Sequence, residues 1–390
     1  MRWWQHDTNL RRFIVDFVLD HVSLLRPGTP LPPPQTVMLA EDWWAAPLSL
    51  DSLELVDCAT AFAQMLAIND SGLGDLLLAK PSVNGWKAVA TASLERSNHS
   101  LRFRSSGSTG KPHYATLPCA HIEQEARFIA DNLLSDLSSG TRLWSLVPAH
   151  HIYGFIFTMA VPTQMQEYPT LIDARQRLPI SIEQSLQAGD IVVAVPDFWR
   201  HWLKAGFRLQ QNVTAVSAAA PCETEVLLEL KKQGANVIEI YGATETGGIG
   251  YRQHPNDPLT LLPHWRAEGE RLTGRYHEAL LPDHLVWLDD KRFIVKGRKD
   301  GKIQIGGINI SPDEVAALLK RHEAVAEASV RFDGNRLKAY VVPKDRQSSE
   351  ELITDLSVWL SKQLPATHIP KQFTVGSQLP CNEMGKLRDW

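Results

Sequence analysis

Tyr241-Gly-Ala-Thr-Glu-Thr-Gly-Gly248 follows a short run of β-formers, Val237-Ile-Glu-Ile240, and turns at once into a glycine-bearing loop. A strand that ends in such a loop is one repeat of an alternating pattern. Upstream, β-rich runs at residues 143–147, 191–195 and 213–217 are separated by helical stretches such as 120–137 and 224–233. The alternation predicts a mostly parallel α/β sheet, in which ligands collect outside the carboxyl ends of the strands. The loop after residue 240 is therefore where this chain would act. Read alone, it is better taken as a turn with an exposed glutamate.

The flanking regions differ in character. Before residue 93, Leu10, Phe13, Ile14, Phe17, Val18 and Val22 recur on one helical face. Arg26-Pro-Gly-Thr-Pro-Leu-Pro-Pro-Pro then breaks the helix, since proline fixes φ and lacks a donor. A second apolar series follows Asp51, and a third helix is expected near Pro81-Ser82, giving a small helical bundle. Past Arg298 the chain enters a smaller α+β segment, whose helix over residues 311–321 starts with a serine cap and a proline.

The chain has 390 residues, 44% hydrophobic and 22% charged, with a formal net charge of -4. That balance predicts several ordinary globular domains and gives no reason to expect a nucleic-acid or anionic-membrane partner. The N-terminal residues, charged by His6 and Asp7, do not read as a signal peptide, and no apolar run approaches the ~18 residues of a membrane span. Cys58, Cys119, Cys222 and Cys381 form no CxxC pair, so a reduced, cytoplasmic chain without structural zinc is expected.

Three further stretches carry chemistry. Ser105-Ser-Gly-Ser-Thr-Gly-Lys-Pro-His113 can turn tightly and aim backbone N–H groups and hydroxyls at an anion. It does not meet GxxxxGK[ST], because Pro112 follows Lys111. Gly297-Arg-Lys-Asp-Gly-Lys-Ile-Gln-Ile-Gly-Gly307 is a charged, hinge-like stretch, and Pro380-Cys-Asn-Glu-Met-Gly-Lys386-Leu-Arg388 lies near the C-terminus. Each has a bland alternative: a flexible loop, a linker, a solvated basic end.

Taken together and in this order, the four stretches resemble the adenylate-forming superfamily of acyl- and aryl-CoA ligases, luciferases and peptide-synthetase adenylation domains, over roughly residues 97–390. The resemblance implies a multidomain α/β chain, with a trimmed adenylate-forming core over residues 97–298 and a small, mobile C-terminal lid domain over residues 301–390. It implies that Ser105, Ser106, Gly107, Ser108, Thr109, Gly110 and Lys111 hold the ATP phosphates, with His113 standing where the family places a lysine. Tyr241 and Gly242 would then meet adenine, Thr244 the α-phosphate, and Glu245 Mg²⁺. Asp283 would bind the ribose with Arg298, although its usual Thr-Gly-Asp context here reads Leu-Pro-Asp. Asp300 would be the hinge, Gly307 would line the pantetheine channel, and Lys386 would bridge carboxylate and α-phosphate. His151 would gate the acyl pocket, and Tyr153, Ala219, Gly247 and Gly248 would line it, with an aryl acid as the first expectation.

Residues 1–92 resemble an acyl carrier protein. Leu48-Ser-Leu-Asp51-Ser52-Leu53 is similar to the stretch in which a serine bears 4'-phosphopantetheine, with Ser49 in place of the usual glycine. Three readings stand: a working carrier loaded at Ser52, a carrier-like bundle that braces the core, or a plain helix cap at Asp51-Ser52. The expected activity is ATP-dependent, AMP-forming transfer of an acid to a phosphopantetheine thiol on a carrier protein. The alternatives are free coenzyme A as acceptor, or a non-catalytic binding module.

Overall fold

The computed structural model describes residues 2–26, 29–105, 113–135, 140–299, 302–305, 308–333, 336–345, 348–380 and 390. The expectations for Ser106, Gly107, Ser108, Thr109, Gly110, Lys111, Asp300, Gly307 and Lys386 lie outside those residues. The chain divides into a larger unit, which ends at Gly297, and a smaller one built on Arg298–Trp390.

In the larger unit, five helices come first: α1 (Asp7–Leu25), α2 (Pro34–Met38), α3 (Ser52–Met65), α4 (Leu76–Ala79) and α5 (Val83–Arg96). A hairpin of β1 (Ser100–Ser105) and β2 (His113–Pro118) leads into α6 (Cys119–Phe128). The strands β3 (Arg142–Ser145), β4 (Thr170–Asp173), β5 (Ile191–Ala194), β6 (Thr214–Ser217) and β7 (Asn236–Ala243) are mutually parallel. Next come β8 (Gly247–Arg252), β9 (Leu259–Leu261), β10 (Trp265–Glu268), β11 (Arg271–Gly274), β12 (Glu278–Leu280), β13 (Asp283–Trp287) and β14 (Arg292–Arg298).

One nine-stranded sheet runs in the order β13-β14-β9-β8-β7-β6-β5-β3-β4, and β10–β12 form a separate antiparallel sheet. The expectation of a mostly parallel sheet is corrected here. From β7 onward the chain returns by a tight turn, and β7–β8, β8–β9 and β9–β14 pair antiparallel. Only Thr244, Glu245 and Thr246 lie between β7 and β8, too few for the crossover that a parallel neighbour needs. In the parallel half both faces are buried, as crossover helices require. Ile191 and Val193 face one apolar cluster, whereas Val192 and Ala194 face the other.

The first ninety residues do not form a self-contained bundle. Trp3, Phe13, Val18, Phe62 and Trp86 belong to the same apolar cluster as Leu143, Val147, Phe155 and Val216 of the α/β core. Polar ties reinforce it. Arg12, 5% exposed, donates to Thr158 Oγ1 at 2.9 Å, Ser145 Oγ at 2.5 Å and the Val147 carbonyl at 3.0 Å. One turn on, Asp16 accepts from the Ala149 amide at 2.7 Å and from Arg175 at 2.6 Å, and Arg175 also pairs with Asp173. Charges this deeply buried persist only when each is answered.

The smaller unit has its own core. A hairpin (Ile303–Ile305, Ile308–Ile310) precedes helix Pro312–Leu319, where Ser311 caps the Glu314 amide at 3.2 Å. Strands Val325–Phe332, Leu337–Pro343 and Gln372–Val375 form a sheet against which helix Ser349–Ser361 packs Leu352, Leu356 and Leu360.

Arg12→Ala leaves Asp16 and Asp173 to share Arg175 alone and takes the buried donor from Thr158, Ser145 and Val147, and it should cost about 3–5 kcal/mol in urea unfolding. Arg11→Ala, which removes only an exposed pair with Asp7, should cost less than about 1 kcal/mol.

Candidate functional site

The carboxyl ends of β5, β6 and β7 converge on one region. Tyr153, in the short helix Ile152–Phe155, donates its hydroxyl to the Ala194 carbonyl at 3.0 Å, with the Val216 carbonyl at 3.1 Å. Its ring therefore lies across the ends of β5 and β6, and burial pushes the phenol well above its ordinary pKa. Ala219, just past β6, has φ 72°, a left-handed conformation that costs a side-chain-bearing residue about 1–2 kcal/mol. Such strain gathers at functional sites because the surrounding structure must hold it in place.

The turn after β7 is built from its own residues. Thr246, fully buried, donates its hydroxyl to the Gly247 carbonyl at 2.8 Å, and the Ala243 amide donates to the same hydroxyl at 3.1 Å. A β-bulge at Tyr241/Gly242 lets the Gly247 carbonyl approach so closely that a Cβ on Gly242 would meet it at 2.1 Å. Thr244 is half-buried at the tip. Glu245 is exposed, and its carbonyl accepts from His277 Nε2 at 2.8 Å. Among the described residues the Glu245 carboxylate takes no hydrogen bond or ion pair, so it is available to an oxygen-seeking cation.

Tyr241 and Asp283, far apart in sequence, come together. The Tyr241 hydroxyl donates to Asp283 Oδ2 at 2.9 Å, while Asp283 Oδ1 is buried without a partner. An orphaned buried carboxylate oxygen is costly and suits a ligand hydroxyl, as a ribose would supply. Arg298 is the last residue of β14.

Two groups near the turn carry little sequence signal. Behind the glycine pair, Glu125 of α6 accepts from the Gly248 amide with both oxygens at 3.0 Å. A Cβ on Gly247 or on Gly248 would meet that carboxyl at 2.5 Å, and Gly247 also has φ 68°. These glycines are thus required by the Glu125 carboxyl behind them. Burial pushes Glu125 up to about 8 and the neighbouring His121 and His264 down to about 4 and about 3. The His121-to-Glu125 spacing on one helical face was readable; His264, far along the chain, was not. The second group surrounds His151, which precedes Ile152–Phe155 and whose ring lies tilted by 41° against that of His150 with centroids 4.1 Å apart. His150 lies 3.4 Å from Asp20, to which Arg104 donates at 2.5 Å. Although burial opposes its charge, His150 and Arg104 hold Asp20 well below the usual carboxylate range.

Ser52 sits elsewhere, exposed at the first position of α3. Asp51 accepts from the Leu53 and Glu54 amides at 2.8 Å each, and Glu54 returns the bond to the Asp51 amide at 3.0 Å. This reciprocal capping box accounts for Asp51-Ser-Leu-Glu54 without a modified serine.

A model of the AMP-binding enzyme family matches residues 78–310, and one of its C-terminal domain matches residues 314–386. The chain belongs to the AMP-binding enzyme family. It is an ATP-dependent, AMP-forming ligase of the acid–CoA ligase type. A 4-coumarate–CoA ligase of Halorhodospira halophila is 34% identical over 88% of this chain and 89% of its own. A 4-coumarate–CoA ligase of Cereibacter sphaeroides is 32% identical over 92% and 87%. Among solved structures, o-succinylbenzoate CoA synthetase of Bacillus subtilis matches with a TM-score of 0.58 at 20% identity, over 75% of this chain and 68% of that one. At 88% and 92% of this chain, the two matches reach into residues 1–92. They carry no finding of a carrier function.

Asp20 contributes stability above its ordinary pKa, since its folded value is depressed, and that contribution is lost as pH falls. Wild-type unfolding free energy should therefore drop below about pH 4. Asp20→Asn should cost about 1.5–3 kcal/mol at pH 7, the range for hydrogen bonds to charged groups. It should also flatten the acid slope followed by chemical denaturation.

Proposed function

We propose that this enzyme joins a hydroxycinnamate-type acid, as in 4-coumarate, to coenzyme A at the expense of ATP. The observation that carries this reading is the identity to two 4-coumarate–CoA ligases across nearly the whole of each chain. It displaces the carrier-protein acceptor expected from residues 1–92. Those helices are packed into the catalytic unit's core, whereas a carrier must move to deliver its arm.

In the first half-reaction a carboxylate oxygen attacks the α-phosphorus and pyrophosphate leaves. In the second, the coenzyme A thiolate attacks the acyl carbon and AMP leaves. Two anions must meet in the first step, so cations placed where charge develops carry most of the catalysis. Lys386 is assigned that role, together with the Thr244 hydroxyl at the α-phosphate. Glu245 would hold Mg²⁺, which neutralises phosphate charge when bound. Ser105 through Lys111 would grip the outer phosphates. Tyr241 would face adenine, with Asp283 Oδ1 and Arg298 taking the ribose hydroxyls. Tyr153, Ala219, Gly247 and Gly248 would wall the acyl pocket, and His151 would gate it. Asp300 would be the hinge about which the C-terminal unit turns between half-reactions, and Gly307 would pass the pantetheine arm.

The test follows thioester formation from 4-coumarate, ATP and Mg²⁺ with either coenzyme A or a phosphopantetheinylated carrier, alongside pyrophosphate exchange. Product with coenzyme A alone is expected; product only on the carrier would overturn the acceptor, and exchange only with another acid would overturn the substrate. Lys386→Ala should slow adenylation at least about 100-fold. Asp283→Asn should raise KM for ATP with kcat little changed, because the ribose contact is uniform binding.

A further inference from the structure

His121, Glu125 and His264 form a buried cluster in which one ligand atom from each lies within 4.8 Å of the others. They are 1%, 1% and 6% exposed. His121 and Glu125 stand one turn apart on the same face of α6, and His264 faces them from the loop between β9 and β10. Neither ring nitrogen of His264 makes a well-formed hydrogen bond, the Gly248 backbone being the one polar group that favours its charged form. A buried imidazole held so weakly is costly unless something occupies the space it faces. Glu125 receives only the Gly248 amide, and no Lys or Arg answers it among the described residues.

His121 is already oriented. Its Nε2–H donates to the Thr246 carbonyl at 2.9 Å, which fixes the tautomer and leaves Nδ1 as the lone-pair nitrogen. A second partner of this kind, holding the imidazole in place, accompanies nearly every histidine that binds a metal. The cluster at Asp20, His150 and His151 is the contrasting case. There Arg104 donates to Asp20 and already supplies the positive charge.

We propose that His121, Glu125 and His264 bind one divalent transition-metal ion of the Zn²⁺ class. Two imidazoles and one carboxylate are a donor set that suits zinc and its neighbours rather than Mg²⁺, which takes oxygen. Tetrahedral zinc places such ligand atoms about 3.3 Å apart. Binding draws the three ligand atoms, within 4.8 Å of one another here, to that spacing and leaves the fourth position to water. The ion joins α6 to the turn that carries Thr244 and Glu245, because His121 holds the Thr246 carbonyl and Glu125 holds the Gly248 amide. It is distinct from the Mg²⁺ that accompanies ATP and is bound without nucleotide.

The full-length enzyme, free of nucleotide and stripped with chelator, is reloaded with Zn²⁺ or Co²⁺, passed through a desalting column, and analysed by mass spectrometry for metal and by visible absorption. The expected result is about one equivalent retained per chain, with the d–d bands of tetrahedral Co²⁺. Chelator should lower the melting temperature of the loaded protein. His264→Gln and Glu125→Gln should bind at least about 100-fold more weakly, given that even outer-shell partners are worth up to that factor. His201→Gln, at an exposed histidine elsewhere, should retain the metal. Equal retention by His264→Gln overturns the proposal. If the ligand variants do not fold, the wild-type cobalt spectrum decides: absent tetrahedral bands overturn it.

Discussion

Arg12 and Asp16, one turn apart on α1, are the charges on which the larger unit depends. Neither is exposed to water, and between them they reach the end of β3, the loop that carries His150 and His151, and the Asp173–Arg175 pair at the end of β4. A buried ion network of this sort gains little over an apolar core of the same volume, yet breaking one member is costly. Its effect is to fix geometry. The histidine loop sits where it does because an amide of that loop, Ala149, is held by a carboxylate from the N-terminal helix.

That interaction also explains why the first ninety residues read misleadingly. Helix periodicity, the proline break and the capped start at Asp51 are local features, and each appears in the structure as α1, α3 and the capping box. Whether helices form a free module or a layer of the core depends on what covers their outer face. Trp3, Phe13 and Phe17 are apolar in either case; their partners Phe155 and His150 lie far along the chain. Direction of the sheet after β7 was likewise illegible from strand propensity, although the shortness of the turn contained the answer.

The site was legible to the extent that its residues are contiguous. Tyr241 through Gly248 announced itself as a strand-end turn, and its glycines read as room for a ligand. The structure gives part of that room to the protein's own Glu125. Contacts such as Tyr241 with Asp283, or Glu125 with Gly248, are set by topology between elements distant in sequence, and no spacing rule on one segment reports them.

Because Arg12 and Asp16 of α1 bond to residues 133 to 159 positions further on, these two charges lack those partners until β3 and β4 have been made. Phe17 meets Phe62 soon after α1 is made, but the Phe13–Phe155 contact and the buried charges must wait for the elements that follow. Its apolar stripe is then the most vulnerable surface of the nascent chain. The same seam that ties α1 into the core of the larger unit therefore makes synthesis an interval of exposure, in which chaperone capture and misassociation compete with native closure.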